Sequence, residues 1–296
     1  MRLHLVDGTY ELFRAHFSPR PPRTDATGAD VKATVGLIES LVALVHDDTE
    51  AVTHIAVAFD NPIRSFRNDR LGGYKDGSDV DPALVAQFDR AEDAVRALGI
   101  TVWSMAHHEA DDALATAAAR WRGVAQVRIL TCDKDLCQCI HRDDVVVVDR
   151  RRGRTEDEHG LRARLGIGPA SVPDLLALVG DRADGIPGLP GWGQRSAAAL
   201  LAAYDKLDRI PLESSRWSGV AVRGAERLAA TLAARRDDAL LYRELATLVT
   251  DVPLAEELGD LKWPGVPRER FLNWCEQVGV EALPARTRRW ASTAGG

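Results

Sequence analysis

The acidic residues of this sequence recur at particular places. Asp7 closes the apolar run LHLV, Asp60 closes VAF, and Glu109, Asp111 and Asp112 open the segment EADDALA. Asp133 and Asp135 follow VRIL in TCDKDL, and Asp181 and Asp184 lie in GDRADGIPG. Each element also has an ordinary structural use. An Asp after a strand makes an Asx turn, acids in a first helical turn favour the helix dipole, and GDRADG reads as turn chemistry around Gly185. Gathered in one place, however, carboxylates repel and raise one another's pKa values, so such a set calls for cations. Oxygen donors with no Cys and few His suit hard ions such as Mg²⁺ or Mn²⁺. Paired ions of that kind, about 3.5–4 Å apart, serve phosphoryl chemistry. On the EADD helix Glu109 and Asp112 share a face and Asp111 points elsewhere; at a helix start all three can still approach one site.

Basic residues stand close to these acids in sequence. Arg14 follows the first acid, and Arg64, Arg67, Arg70 and Lys75 lie in PIRSFRNDRLGGYKDG after Asp60. Cations beside a metal cluster hold a phosphodiester and stabilise charge in its transition state; a solvated basic loop is the alternative. Tyr74 either stacks on a base or packs. Further on, GIPGLPGWGQRSAAALLAAY leads a Gly/Pro turn straight into an Ala/Leu helix. Gly188, Gly191 and Gly193 permit tight backbone geometry, and the helix start offers N–H groups to an anion. That arrangement, with Gln194, Arg195 and Ser196, suits a DNA backbone held without sequence reading. The run RRRGR at 150–154 reads as a solvated hairpin, with phosphate contact as the lesser reading.

The elements that must position these residues follow from patterning. Leu3–Val6, Thr53–Phe59, Thr101–Trp103, Val127–Leu130 and Val145–Val148 are short and mostly β-branched, and read as strands. Val31–Val45, Asp81–Leu98 and Ala110–Trp121 carry helical spacing between them. Strand–helix alternation implies a mainly parallel sheet covered by helices, with ligands at the carboxyl ends of the strands. From about Gly166 the pattern is helical: Ser171–Val179, Gly193–Tyr204, Ala221–Arg235, Asp237–Leu248 and Arg268–Gln277. The residues after Trp290 read as a frayed tail.

Composition agrees with a globular chain. It has 296 residues, 45% apolar and 28% charged, which excludes a mostly disordered protein. No apolar stretch approaches the roughly 18 residues of a membrane span, and Asp7 interrupts the first apolar run before a signal-peptide core forms. A cytoplasmic protein is therefore expected, with no membrane partner. None of the four cysteines forms a C-x-x-C pair, which leaves reduced thiols. The net charge of −6 argues weakly against nucleic acid. Setting aside the nine acids above leaves +3 on the rest of the chain, a balance compatible with a DNA-binding surface.

The ordered set LVDG, VAFD, SFR…GGYK, EADD, TCDKDL, GDRADGIPG and GWGQRSA resembles the 5′-nuclease family, which includes bacterial 5′–3′ exonucleases, flap endonucleases and the N-terminal nuclease domain of bacterial DNA polymerase I. The match runs from Arg2 to about Leu283. The resemblance implies an α/β, resolvase-like (PIN-like) domain over residues 1–165. It further implies a helical DNA-binding domain with a helix–three-turn–helix motif over 166–262, and a C-terminal helix and tail over 263–296. It implies a metal-dependent hydrolase, a 5′–3′ exonuclease and structure-specific flap endonuclease that cuts DNA near 5′ ends, flap junctions, nicks and gaps by a two-metal mechanism. By motif match Asp7, Asp60, Glu109, Asp111 and Asp112 hold the first ion, and Asp133, Asp135, Asp181 and Asp184 hold or surround the second. Arg67 and Lys75 steer the scissile phosphate, Tyr74 stacks on the substrate base, and Arg14 is a further DNA contact. Residues from about Arg67 to Leu98 match the arch that the 5′ strand passes through or under. Gly188, Gly191, Gly193, Gln194, Arg195 and Ser196 match the duplex-holding hairpin, where K⁺ also binds in family members. Two positions depart from the family: Ser78 where a basic residue is frequent, and Pro190 where a lysine is common. Both weaken phosphate contacts and leave the metal chemistry intact. With no polymerase after Gly296, the stand-alone bacterial form, a monomer, is expected. Two alternatives remain: a catalytically inactive junction-binding protein on the same fold, and an RNA-directed nuclease of the PIN-like group, against which the helical segment argues.

Overall fold

The computed structural model describes residues 1–292. Six strands form one sheet: β1 (Arg2–Asp7), β2 (His54–Asp60), β3 (Thr101–Met105), β4 (Gln126–Leu130), β5 (Val145–Asp149) and β6 (Arg154–Glu156). Their order is β3-β2-β1-β4-β5-β6, parallel except for the antiparallel β5–β6 hairpin. The chain builds outward from β1 to β3 on one side and from β4 to β6 on the other. The topological switch therefore falls between β1 and β4, the place where ligands bind in open α/β sheets.

Strand side chains alternate between two cores, as a two-residue period requires. Leu3, Leu5, Val127, Ile129, Val145 and Val147 face α5 (Ala110–Trp121). Val6, Ile55, Val57, Phe59, Leu130 and Val148 face α1 (Gly8–His16), α2 (Lys32–Val45) and α4 (Phe88–Ala97). α5 is rich in Ala, the best helix former, and its small buried side chains let it seat closely on the sheet. A buried Leu such as Leu5 costs about 2–5 kcal/mol when cut to Ala.

The helical half comprises α6 (Glu158–Leu165), α7 (Val172–Val179), α8 (Gln194–Tyr204), α9 (Ala225–Ala234) and α10 (Arg236–Ala246), and its apolar faces join the α5 core. The chain then returns. α11 (Arg268–Val278) packs beside α4, and Trp263 donates its indole N–H to the Leu98 carbonyl at 3.0 Å. The last segment thus completes the core of the first half.

Several elements differ from the patterning. α1 begins directly after β1 with no loop, because Asp7 accepts the Tyr10 amide at 2.8 Å and caps it. The expected Asp81–Leu98 helix is broken into α3 (Pro82–Val85) and α4. Gln87, at the break, turns its side-chain oxygen outward to accept the Ala33 and Thr34 amides at 3.0 and 3.1 Å, and so caps α2. α9 starts at Ala225 rather than Ala221, after Gly224 at φ +73°. α6 and β6 carry too few buried residues to show in the pattern. Arg150–Gly153 form the turn of the β5–β6 hairpin, as read. Ala291 is tied to Val266 by a 2.9 Å hydrogen bond, and the rest of the expected tail, from Thr293, lies outside the described residues. Among the described residues no helix is long and apolar enough to cross a membrane.

Candidate metal centre

The carboxyl edge of the sheet gathers the acids. Asp7 ends β1, Asp60 ends β2, and Asp133 and Asp135 follow β4. Asp7 accepts the Tyr10 amide and, at 2.8 Å, the Thr131 hydroxyl. Thr131 also accepts the Asp133 amide at 3.0 Å, so one hydroxyl fixes two of the acids. Asp60 accepts the Ala110 amide at 2.7 Å, at the N-terminus of α5. Asp133 accepts the Asp135 amide at 2.9 Å. From the helical half the loop after α7 brings Asp181 and Asp184. Oxygens of Asp135, Asp181 and Asp184 all lie within 4.8 Å of one another.

Electrostatics separates these acids from the surface ones. Burial pushes Asp7 up to about 7, with Asp60 and Asp133 adding repulsion against its two hydrogen bonds. Burial also raises Asp60, with Glu109 adding to it and Lys75 opposing. Asp111 and Asp135 are held well above the usual carboxylate range, first by burial and then by neighbouring carboxylates. Asp133 is raised by burial and by Asp184. Glu109 is the exception. Burial pushes it up, but Lys75, Arg67 and the Ser65 hydroxyl outweigh that and hold it below its ordinary value. Asp135 Oδ1 is buried with no hydrogen-bond partner. A buried, unpartnered carboxylate oxygen among like charges is costly, and a hard cation is the group that removes the cost.

Two lysines enter the cluster. Lys75 Nζ lies 3.0 Å from Glu109 and 3.1 Å from Asp184, and its amide donates to the Asp184 carbonyl at 3.1 Å. These partners and Asp60 raise its pKa well above normal against the opposing effect of burial. Lys134 Nζ lies 2.8 Å from Asp181. Beside Lys75 opens a cavity of about 450 Å³, lined by Thr9, Asp60, Tyr74, Lys75 and Arg182 among others. The GGYK loop sits hard on the loop carrying Asp184. Gly185 has φ +75°, and a Cβ there would lie 2.0 Å from the Gly73 carbonyl.

Four residues sit otherwise than the sequence reading expected. Asp112, expected on the first ion, is fully buried and turned away, its two oxygens bonded to both Arg67 terminal nitrogens at 2.7 Å. Asp111, expected on the same ion although helical spacing alone turned it elsewhere, faces Asp133 and Asp7, whose charges add to burial in raising its pKa. Arg67, expected on the scissile phosphate, is 1% exposed and closed to solvent by Asp112. Tyr74, expected to stack on a base, is buried, with its hydroxyl 3.3 Å from Glu109. Gly188 is buried too. At φ +67° its Cα lies against the backbone of Val179 and Gly180, so its smallness serves packing.

The other hairpin residues, Gly191, Gly193, Gln194 and Arg195, are exposed, with Ser196 half-buried, and Gly193 at the N-cap of α8 brings no capping side chain. Arg14 is half-buried beside Glu11 and the Ser40 hydroxyl. It lines a separate small cavity with Arg150 and Arg151. Sequence reasoning missed Ser65, whose hydroxyl lies 2.6 Å from Glu109, together with Thr131 and Lys134. All three lie inside motifs already singled out, SFR and TCDKD, and that adjacency was the available signal.

With this geometry in view, the comparisons with known proteins are specific. Residues 2–166 match the 5′–3′ exonuclease N-terminal resolvase-like domain, and residues 167–269 match the 5′–3′ exonuclease C-terminal SAM fold. The chain belongs to the 5′–3′ exonuclease family. Among curated proteins it is 33% identical over 303 residues to DNA polymerase I of Pseudomonas aeruginosa, and 30% identical over 291 residues to that of Bacillus subtilis. Each alignment covers 96% of this chain and 32% of the relative, so the chain spans about a third of the length of the polymerases it matches. Among solved structures, a flap endonuclease of bacteriophage T5 in complex with DNA and metal ions superposes with a TM-score of 0.63. It does so at 16% identity, covering 97% of both chains. At that identity the likeness shows the fold, a resolvase-like sheet domain with a SAM-like helical domain.

Proposed function

We propose that this 5′–3′ exonuclease-family chain hydrolyses DNA phosphodiesters near 5′ ends and at the junctions of 5′ flaps, nicks and gaps, using Mg²⁺ or Mn²⁺. The observation that carries this is the trio Asp135, Asp181 and Asp184, with oxygens within 4.8 Å of one another and one of them buried without a partner. Asp7, Asp60, Glu109, Asp111 and Asp133 would complete the ion-holding set. All donors are oxygen, as hard divalent ions require. Ions held there supply Lewis-acid stabilisation of the phosphoryl oxygens and a nucleophile at neutral pH, the two-metal chemistry of phosphodiester hydrolysis.

The chain's own residues do the rest. Lys75, protonated throughout the physiological range, neutralises charge on the phosphate entering the adjoining cavity and cannot serve as a general base. Thr131 and the Tyr10 amide orient Asp7, and Ser65 orients Glu109. The exposed start of α8, with Arg195, receives the duplex backbone, and the same hairpin is the proposed K⁺ position. Relatives of the same fold support a DNA substrate and divalent metal use: the T5 flap endonuclease is bound to DNA and metal ions, and the T5 5′-exonuclease to divalent zinc.

The test is cleavage of an end-labelled 5′-flap duplex in Mg²⁺ or Mn²⁺, beside Asp133→Asn and an EDTA control. A short product from near the junction, absent from both controls, is expected. Tight binding without cleavage in either metal would replace this reading with that of an inactive junction binder. Equal cleavage of a matched RNA 5′ end would replace the DNA substrate.

A further inference from the structure

The Arg67–Asp112 pair is a buried node whose hydrogen-bonding capacity is spent. Asp112 Oδ1 accepts Arg67 Nη2 at 2.7 Å and the Val249 amide at 2.9 Å. Oδ2 accepts Arg67 Nη1 at 2.7 Å and the Glu109 amide at 2.9 Å. A carboxylate offers about four acceptor sites, so nothing remains on Asp112 for an ion. Arg67 is equally committed. Nε donates to the Leu245 carbonyl at 2.8 Å, Nη2 also reaches the Thr247 carbonyl at 3.2 Å, and Nη1 lies 3.3 Å from Glu109.

Every backbone partner beyond Glu109 comes from one short segment, Leu245–Val249, where the chain leaves α10 and returns to the sheet. Other side chains of the first half grip the same segment. Gln138 donates to the Ala246 carbonyl and accepts the Leu248 amide, both at 3.0 Å. Thr116 bonds the Val249 carbonyl at 3.3 Å and the Val252 amide at 3.1 Å. Gln138 lies three residues after Asp135, and Arg67 lies at the base of the GGYK loop. The elements carrying Glu109, Lys75 and Asp135 are therefore all tied to one exit strand of the helical half, the half that carries the hairpin and Asp181–Asp184.

We propose that Arg67 and Asp112 are positioning residues. With Gln138 they latch the Leu245–Val249 segment, and so set the helical half, with its duplex hairpin and its two ion-holding acids, in register with Glu109 and Lys75. A buried bidentate Arg–carboxylate pair with all partners supplied is rigid and geometrically specific. Neither residue touches ion or phosphate. This rests on the nuclease reading only for its kinetic readout.

The experiment compares wild type, Asp112→Asn, Arg67→Lys and Gln138→Met in the full chain. Three quantities are read: the Mg²⁺ and Mn²⁺ concentrations for half-maximal cleavage, kcat against KM on a 5′-flap duplex, and amide hydrogen exchange across Leu245–Val249. Asn in place of Asp112 keeps the shape and loses two acceptor sites. The expected result is half-maximal metal unchanged within about twofold, KM within about twofold, kcat down about 10–100-fold, and exchange in the segment about tenfold or more faster. Gln138→Met, which leaves the buried ion pair intact, is expected to show the same signature more weakly and decides the matter if Asp112→Asn does not fold. A tenfold or larger rise in the metal requirement of Asp112→Asn with unchanged exchange overturns the inference and makes Asp112 an ion ligand. Unchanged kcat and exchange in all three variants overturns it as well. If wild type shows no metal-dependent cleavage, the nuclease reading fails, and the exchange data alone still judge the latch.

Discussion

Two buried carboxylates, Asp112 on α5 and Asp135 after β4, are opposites in chemistry. Asp112 has every acceptor site filled, by a guanidinium and two amides. Asp135, also buried, has an oxygen with no partner and four acidic neighbours, Asp133, Asp184, Asp181 and Asp111. The first is a finished structural joint; the second is an arrangement that the protein alone leaves unsatisfied. Acid type and spacing look alike in both, and the supply of donors tells them apart. Removing charge should therefore act oppositely in the two places.

The largest effect is expected at the starved site. Asp135→Asn should lower kcat on a 5′-flap substrate about 10³-fold, roughly 4 kcal/mol of transition-state stabilisation. In EDTA the same change should raise stability to denaturant by about 1 kcal/mol, because it removes a carboxylate held above its ordinary pKa. Loss of activity together with loss of metal-free stability would contradict the contrast. At the saturated site the sign reverses. Arg67→Ala leaves Asp112 buried and unpaired and should destabilise by about 3–5 kcal/mol, measured by urea unfolding with and without Mg²⁺. A loss that Mg²⁺ restores would place Arg67 in the cluster instead.

A smaller effect appears in the pH dependence of the metal-free protein. Asp7 is pushed up to about 7 from 3.8, and Asp60, Asp111, Asp133 and Asp135 are raised in the same direction. Between the unfolded and folded pKa values of such a group the folded state binds the extra proton. The stability it contributes is fully present below 3.8 and is lost as pH rises through about 7. Melting in EDTA should therefore fall from pH 5.5 to pH 8. The buried His4, its pKa lowered by desolvation, works the other way over part of that range and is unaffected by metal. The discriminating quantity is thus the Mg²⁺-induced rise in melting temperature, which should grow with pH. A rise independent of pH would mean that the ions do not replace protons on these acids.

The comparison also shows what a sequence can disclose. The acids at Asp7, Asp60, Asp133 and Asp135 were legible because strand ends are legible, and a doubly wound sheet brings strand ends to one edge. The tie of Asp112 to Arg67 was hidden because helical spacing says which residues share a face and not which face meets the cluster. The deciding acceptor for Arg67 lies far off: the Leu245 carbonyl stands 178 residues beyond Arg67. No local motif carries a contact of that separation. Tyr74 and Gly188 were misplaced for a related reason, since exposure is a property of what packs on top. The break at Gln87 was invisible because its cause is the unsatisfied start of α2, more than fifty residues earlier.

The contact between Gly185 and the Gly73 carbonyl offers a way to move Lys75 without touching any acid. Gly185→Ala adds strain at φ +75° and places a methyl 2.0 Å from a backbone oxygen, so the GGYK loop must shift. A cost of about 1–3 kcal/mol in stability is expected. kcat should fall more than the metal requirement rises, because Lys75 moves and the acids do not. An altered metal requirement with normal kcat would show instead that Asp184 had been displaced.

The smallest effect belongs to the hairpin. Gly193 leaves the first turn of α8 without a side-chain cap, and Arg195 stands exposed at that turn. The contact there is backbone phosphate without base reading, one charge among several. Arg195→Ala should weaken duplex binding by less than about tenfold and equally across sequences, and should flatten the dependence of log affinity on log salt by about 1. The metal requirement should not move, since the hairpin supplies no acid to the cluster. If the salt slope is unchanged while the metal requirement shifts, the division between an ion-holding edge and a phosphate-holding hairpin is wrong, and the two halves meet the substrate at one shared surface.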